Sequence, residues 1–230
     1  MDALVQLGAL LTAGQDSVSD SIFSSLGALL QRDPSPVVRA LAARTLELAH
    51  DPRAVPHLIS AVEPEQQVAV RKAIIYALAR YPSSQVTETL TALLNGKKIG
   101  KKISKKDEDE IRSAAALALA EVGDSSAVSA LLEVLTRRRR EEESFARSQA
   151  ARGLGRIADR RALDPLLIAL THDKSMAVQR EAARALGLIA TDQDTKVLEA
   201  LRAAALADDP YLAAAADNAL NSITLRAKKE

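Results

Sequence analysis

The sequence has no cysteine and no tryptophan, and its three tyrosines and two phenylalanines make up only 2% of 230 residues. Without cysteine there is no disulfide framework, no thiolate nucleophile and no cysteine-ligated metal. This composition suits the cytosol, and a cytoplasmic location is the expectation. Charge of one sign is also lacking: 31 basic against 30 acidic residues leave a net +1, so any charge-driven binding must be local. The three histidines, His50, His57 and His172, are not at metal-ligand spacing, and no His-Glu-x-x-His helix occurs. There is no glycine-rich phosphate loop, and no Ser/His/Asp arrangement follows from the spacing. No apolar run reaches the length of a membrane span. The opening MDALVQLGALLTAG has neither basic residues before its apolar stretch nor the small-residue cleavage site of a signal peptide.

What the chain has is a repeated pattern, clearest in IRSAAALALAEVGDSSAVSALLEVL, residues 111–135. Ile111, Ala114, Ala115, Ala118, Leu119 and Val122 recur at helical spacing on one face. Alanine favours helix and allows a neighbouring helix to come close. Gly123 ends the helix because glycine adopts the left-handed conformation cheaply. Asp124 can then cap a second helix, whose stripe is Val128, Leu131, Leu132 and Leu135. Neither helix can bury its stripe alone, whereas a stack of such pairs can.

The pair recurs in register, with leucines Leu46, Leu78, Leu119, Leu154 and Leu186 separated by 32, 41, 35 and 32 residues. An arginine precedes most of them at a fixed place: Arg39, Arg71, Arg112 and Arg147, with Gln179 in the last repeat. Val38-Arg39, Ala42-Ala43, Asp51 and Val55-Pro56 resemble the HEAT-repeat family, in particular the short HEAT-like repeats of phycobilisome lyases. Ala150-Ala151, Leu154-Gly155 and Asp159 carry the same resemblance, as do Ala182-Ala183, Ala185-Leu186 and Gly187. The resemblance covers roughly residues 33 to 205 and implies an all-α, right-handed α-α superhelix. Tetratricopeptide repeats would require Trp, Tyr and Phe positions, and ankyrin repeats Thr-Pro-Leu-His, neither of which is found.

The whole chain is therefore expected to be one solenoid of about 13 helices. Residues 1–32 form a divergent N-terminal cap pair, with helices near 2–13 and 17–31. Residues 33–95 hold repeats, 96–110 a charged inserted loop, 111–207 further repeats and 208–230 a C-terminal cap helix. The loop, GKKIGKKISKKDEDE, has six lysines followed by four acids. A second basic-then-acidic junction runs from Arg137 to Glu143.

These two junctions are the candidate site. Equivalent junctions lie on one edge of a solenoid, about 10 Å apart for adjacent packed helices. That would bring Lys97, Lys98, Lys101, Lys102, Lys105 and Lys106 near Arg137, Arg138, Arg139 and Arg140. The competing account is a solvated edge, since cations suit a helix C-terminus and acids the next N-terminus. An acidic protein segment is favoured as ligand over nucleic acid, because stacking platforms and base-reading motifs are lacking. His57, on a second helix, is placed on the inner curve as a further contact. The repeated arginines are too regular for catalysis and are assigned to bracing between neighbouring repeats. Carboxylates fall in turns as caps, not in apolar stripes where a raised pKa would suggest acid–base work.

No catalytic, cofactor-binding or metal-binding residue is identified. The expected function is a non-enzymatic protein–protein interaction scaffold or adaptor, its partner held on the concave face or on the basic edge. The resemblance to phycobilisome lyase repeats implies an alternative, a phycobilin lyase-like chromophore-handling protein or chaperone. A HEAT-like DNA glycosylase is disfavoured by the missing tryptophan and near-neutral charge. The di-iron hydroxylases of the HEAT group require repeated His-Glu pairs, and the sequence has none.

Overall fold

The computed structural model describes residues 20–96, 103–136 and 144–228. Among the described residues there are twelve α-helices, two 3-10 turns and no strand. The chain divides into two compact units between Val122 and Gly123, so the two helices of the clearest repeat belong one to each unit.

The first unit contains α1 (Asp20–Arg32), α2 (Pro36–Leu48), α3 (Ala54–Val62), α4 (Val68–Leu78), α5 (Ser84–Leu94) and α6 (Lys105–Val122). Helices α2, α4 and α6 pack side by side in one layer, and α1, α3 and α5 in another. Sequential helices α1 and α2, α3 and α4, and α5 and α6 pack across the layers. The second unit repeats the plan with α7 (Val128–Thr136), α8 (Ser144–Ile157), α9 (Leu163–His172), α10 (Met176–Ile189), α11 (Thr195–Ala204) and α12 (Pro210–Ala227). Here α8, α10 and α12 form one layer and α7, α9 and α11 the other. All the expected helices are present except that over 2–13, which lies outside the described residues, as do residues 17–19 of the next.

The register is the expected one. Leu46, Leu78, Leu119, Leu154 and Leu186 are each 0% exposed. Leu58, Leu90, Leu131, Leu166 and Leu201 on the second helices are 0% exposed as well. Val122, Leu132 and Leu220, expected to face inward, are only half-buried.

One boundary is corrected. Residues 96–110 are not wholly a loop, because α6 begins at Lys105 and takes in the whole acidic run. Ser104 Oγ accepts from the Asp107 N–H at 3.1 Å, which satisfies one of the orphan donors of a helix start. Asp107 and Glu108 sit in the first turn, where negative charge is stabilised. Lys105 pairs with Asp109 one turn on, at 3.3 Å, and Glu108 with Arg112. Such i,i+4 pairs turn a charged run into helix.

The turns within the pairs are built alike. Gly123, His50 and Ala158 each lie four residues after a key leucine, with φ of +69°, +49° and +58°. Only the first is glycine, so the other two hold a left-handed conformation against a Cβ penalty. An aspartate follows each. Asp51, Asp124 and Asp159 accept from the N–H two residues on, at 2.9, 2.9 and 2.8 Å. In the pair that lacks the aspartate, Ser83 Oγ takes the role by accepting from Val86 N–H at 3.3 Å. There Tyr81 turns inward and its hydroxyl donates to the Leu46 carbonyl. Burial pushes that phenol up to about 12.

Two glycines set the spacing of the α8–α10–α12 layer. A Cβ on Gly155 would stand 2.7 Å from Ala185 Cα, and one on Gly187 would stand 2.6 Å from Ala219 Cβ. The helices therefore touch backbone to backbone at both glycines.

Candidate functional site

Two of the four repeated arginines, Arg39 and Arg147, brace neighbouring repeats, through acids that the sequence pattern alone does not single out. Arg39, on α2, grips Glu65 in the loop before α4. Nε donates to Oε2 at 2.7 Å and Nη2 to Oε1 at 3.0 Å. Its third arm, Nη1, donates to the Asp33 carbonyl at 2.8 Å, six residues back. Arg147, on α8, makes the same fork to Asp173 before α10, at 2.7 and 2.9 Å. In both cases the acid lies 26 residues after the arginine.

Each acid has further work. Asp33, Glu65 and Asp173 each accept from the N–H two residues on, at 2.8, 2.8 and 2.9 Å. Their backbone carbonyls accept from residue i+6 of the following helix. The donors are Arg39 to Asp33, Arg71 to Glu65, and Gln179 to Asp173. Gln179 thus keeps the backbone half of the role without the charge. Burial works to raise the Glu65 carboxyl, but the Arg39 fork and the Gln67 N–H outweigh it and hold the group below its usual range. The signal in the sequence is an Asp or Glu six residues before, and again 26 residues after, a Val-Arg position.

Arg71 departs from this scheme. It is 1% exposed, and Nη2 donates to the carbonyls of Glu63, at 3.0 Å, and Glu65. Among the described residues Nε and Nη1 have no hydrogen-bond partner. Arg112 departs too, turning back to Glu108 on its own helix.

Of the candidate contacts, Lys97, Lys98, Lys101 and Lys102 lie outside the described residues, as do Arg137, Arg138, Arg139 and Arg140. Lys105 and Lys106 are exposed in the first turn of α6, with Lys105 paired to Asp109. His57 is half-buried on α3. Its imidazole lies over Gly27 of α1, where any Cβ would collide with it, so it fills the α1–α3 seam. The layer of second helices also carries apolar surface. Ile168 on α9 is 48% exposed, beside half-buried Leu167, with Leu132 on α7 and Leu198 on α11 half-buried as well. Among the described residues no group of His, Asp and Glu could hold a metal ion, and no helix is long and apolar enough to cross a membrane.

Helix pairs in two layers, with a leucine register and an Arg–acid brace, are what a family comparison meets. The model for HEAT repeats matches residues 23–100 and 137–221, well over half of the chain. The chain is a HEAT-repeat protein. The PBS lyase HEAT-like repeat matches residues 111–137, which includes the stretch where the sequence pattern is clearest. No curated protein matches this HEAT chain. Among solved structures it is similar to the complex of CpcE and CpcF of phycocyanin lyase from Nostoc sp. PCC7120, at 22% identity and a TM-score of 0.59, over 88% of this chain and 76% of that one. It is also similar to a designed armadillo repeat protein in complex with the peptide (KR)4, at 19% identity and a TM-score of 0.55, over 90% and 100% of the two chains. At these identities the likeness is one of fold.

Proposed function

We infer that this HEAT-repeat chain is a protein-interaction scaffold that carries no chemistry of its own. One observation supports this above others. The charged groups that the repeats place at regular positions are turned inward, gripping loops and capping helices, as in the Arg39–Glu65 and Arg147–Asp173 forks. In the second unit the second-helix layer offers outward an aliphatic surface around Ile168, and in the first unit the junction before α6 carries lysines. Each suits the holding of a chain, with an acidic segment the best match to the lysines. The test is photo-crosslinking in the cell of origin, with a photoreactive residue at Ile168, Lys106 or Val37. A single partner captured from Ile168 or Lys106, with none from Val37 on the first-helix layer, supports the scaffold. Capture from Val37 alone, or from none of the three, sinks it.

A second reading has its own support in the PBS lyase HEAT-like match over 111–137 and the fold shared with the CpcE–CpcF complex. In that reading the chain handles a bilin together with a second HEAT subunit. Incubation with bilin and a recipient apoprotein, with and without such a subunit, decides it. Absence of both bilin absorbance on the chain and transfer to the recipient ends it.

A further inference from the structure

In the second unit, the layer of α8, α10 and α12 turns arginines and large apolar side chains outward together. On α8, Phe145, Arg152 and Arg156 follow at i, i+7 and i+11, which is one helix face, and all three are exposed. On α10 the same places hold Ala177, Arg184 and Leu188, also exposed, and on α12 Tyr211 and Asn218 stand at the first two. The close approach at Gly155 and Gly187 sets these faces side by side. Arg180 links two of them, its guanidinium 5.5 Å from the centre of the Tyr211 ring. Of the nine large apolar side chains exposed among the described residues, five lie on these three helices: Phe145, Met176, Leu188, Tyr211 and Leu225, at 44–67% exposure. Arg152, Arg156, Arg180 and Arg184 stand among them, against two acids, Asp217 and the Glu181 that pairs with Arg184. The corresponding layer of the first unit lacks this combination. There Arg44 pairs with Glu47 and Lys72 with Glu110, and of the large apolar side chains described only Val37 and Tyr76 are exposed.

An excess of arginine calls for an anion, and the apolar side chains call for cover from water. A peptide would need pockets for its anchors, whereas these side chains project from the helices. Projecting apolar groups interleaved with cations suit the boundary of a bilayer, where rings and aliphatic chains enter the headgroup layer and guanidinium groups meet lipid phosphates. We propose that this face docks the chain on the surface of an anionic lipid bilayer, with Phe145 and Tyr211 inserted among the headgroups and Arg152 and Arg184 held by their charge. The contact is peripheral. It uses the layer opposite Ile168, so it stands independently of the scaffold reading.

The test is sedimentation of the full chain with vesicles of phosphatidylcholine and phosphatidylserine, and with vesicles of phosphatidylcholine alone. The chain should bind the mixed vesicles, less tightly as salt rises, and not bind phosphatidylcholine alone. Arg152→Gln with Arg184→Gln should weaken binding by roughly 30-fold, about fivefold for each charge lost near the surface. Phe145→Ser with Tyr211→Ser should weaken it as well. Arg44→Gln with Arg80→Gln, the same loss of charge from exposed arginines of the first unit, should change it far less. All the substituted side chains are exposed, and each variant is matched to the parent by its melting temperature. No binding to the mixed vesicles overturns the proposal, and so does an equal loss from the Arg44 and Arg80 pair. Undiminished binding in Phe145→Ser with Tyr211→Ser also overturns it, in favour of a purely ionic contact such as an acidic protein segment.

Discussion

Gly187→Ala should destabilise the protein, although elementary helix propensity says the opposite. Gly187 lies within α10, which spans Met176–Ile189. Replacing a helix-interior glycine by alanine ordinarily gains about 0.5–1 kcal/mol. Here the added Cβ would stand 2.6 Å from Ala219 Cβ and 2.7 Å from Ala219 Cα, whereas carbon atoms rest at roughly 3.5–4.0 Å. One of those atoms is backbone, so relief requires α12 to move away along much of the seam it shares with α10. Overpacking of this kind costs about 1–3 kcal/mol, leaving a net loss of up to roughly 2.5 kcal/mol after the propensity gain. Urea denaturation should show a lower midpoint with an unchanged slope. Ala219→Gly in the same chain removes the methyl group from the clash but leaves the α12 backbone where it was, so the rescue should be partial. If Gly187→Ala raised the midpoint, the backbone-to-backbone packing of this layer would be wrong.

Leu154→Ala should cost about 2–5 kcal/mol, as for a fully enclosed leucine, and an effect below ~0.5 kcal/mol would mean that another residue faces the core. Ala158→Gly should stabilise by up to about 1 kcal/mol, because relief of the left-handed penalty exceeds the added freedom of the unfolded chain. A lower melting temperature for that variant would contradict the turn geometry. The Glu65 carboxyl, held below its usual range by Arg39, contributes stability that is present above the unfolded value of about 4.3. That contribution is lost as pH falls through the lower folded value. Glu65→Gln should therefore be less stable than the parent at neutral pH, with a flatter acid limb in melts taken from pH 7 downward. Parallel curves would remove the Arg39–Glu65 fork as the cause.

The fold can be read from the sequence because the apolar period and the turn aspartates point the same way. Each key leucine repeats in a setting that only a neighbouring helix pair can enclose, and all five of them are buried. The start of α6 escapes such a reading because six lysines and two glycines look like a loop. The pairs Lys105–Asp109 and Glu108–Arg112, and the Ser104 cap, act only once helix exists. The place of His57 on a second helix points to the inner surface. Its packing on Gly27 depends on where α1 sits, which no local pattern specifies. The regularity of the arginines points to bracing, but not to the acids they grip. A partner 26 residues away leaves no mark within a single helix, and it shows only when two repeats are laid beside each other with the loops included.

The 26-residue reach of the Arg147–Asp173 fork also bears on where this protein can be cut. A fragment ending at His172 keeps both helices of its last pair but parts Arg147 from the acid it grips. A fragment carried on to Ser175 retains Asp173 and the N–H it caps. The smallest removable piece is therefore a helix pair together with the first few residues of the next, and shortened or transplanted versions of this chain should be divided there.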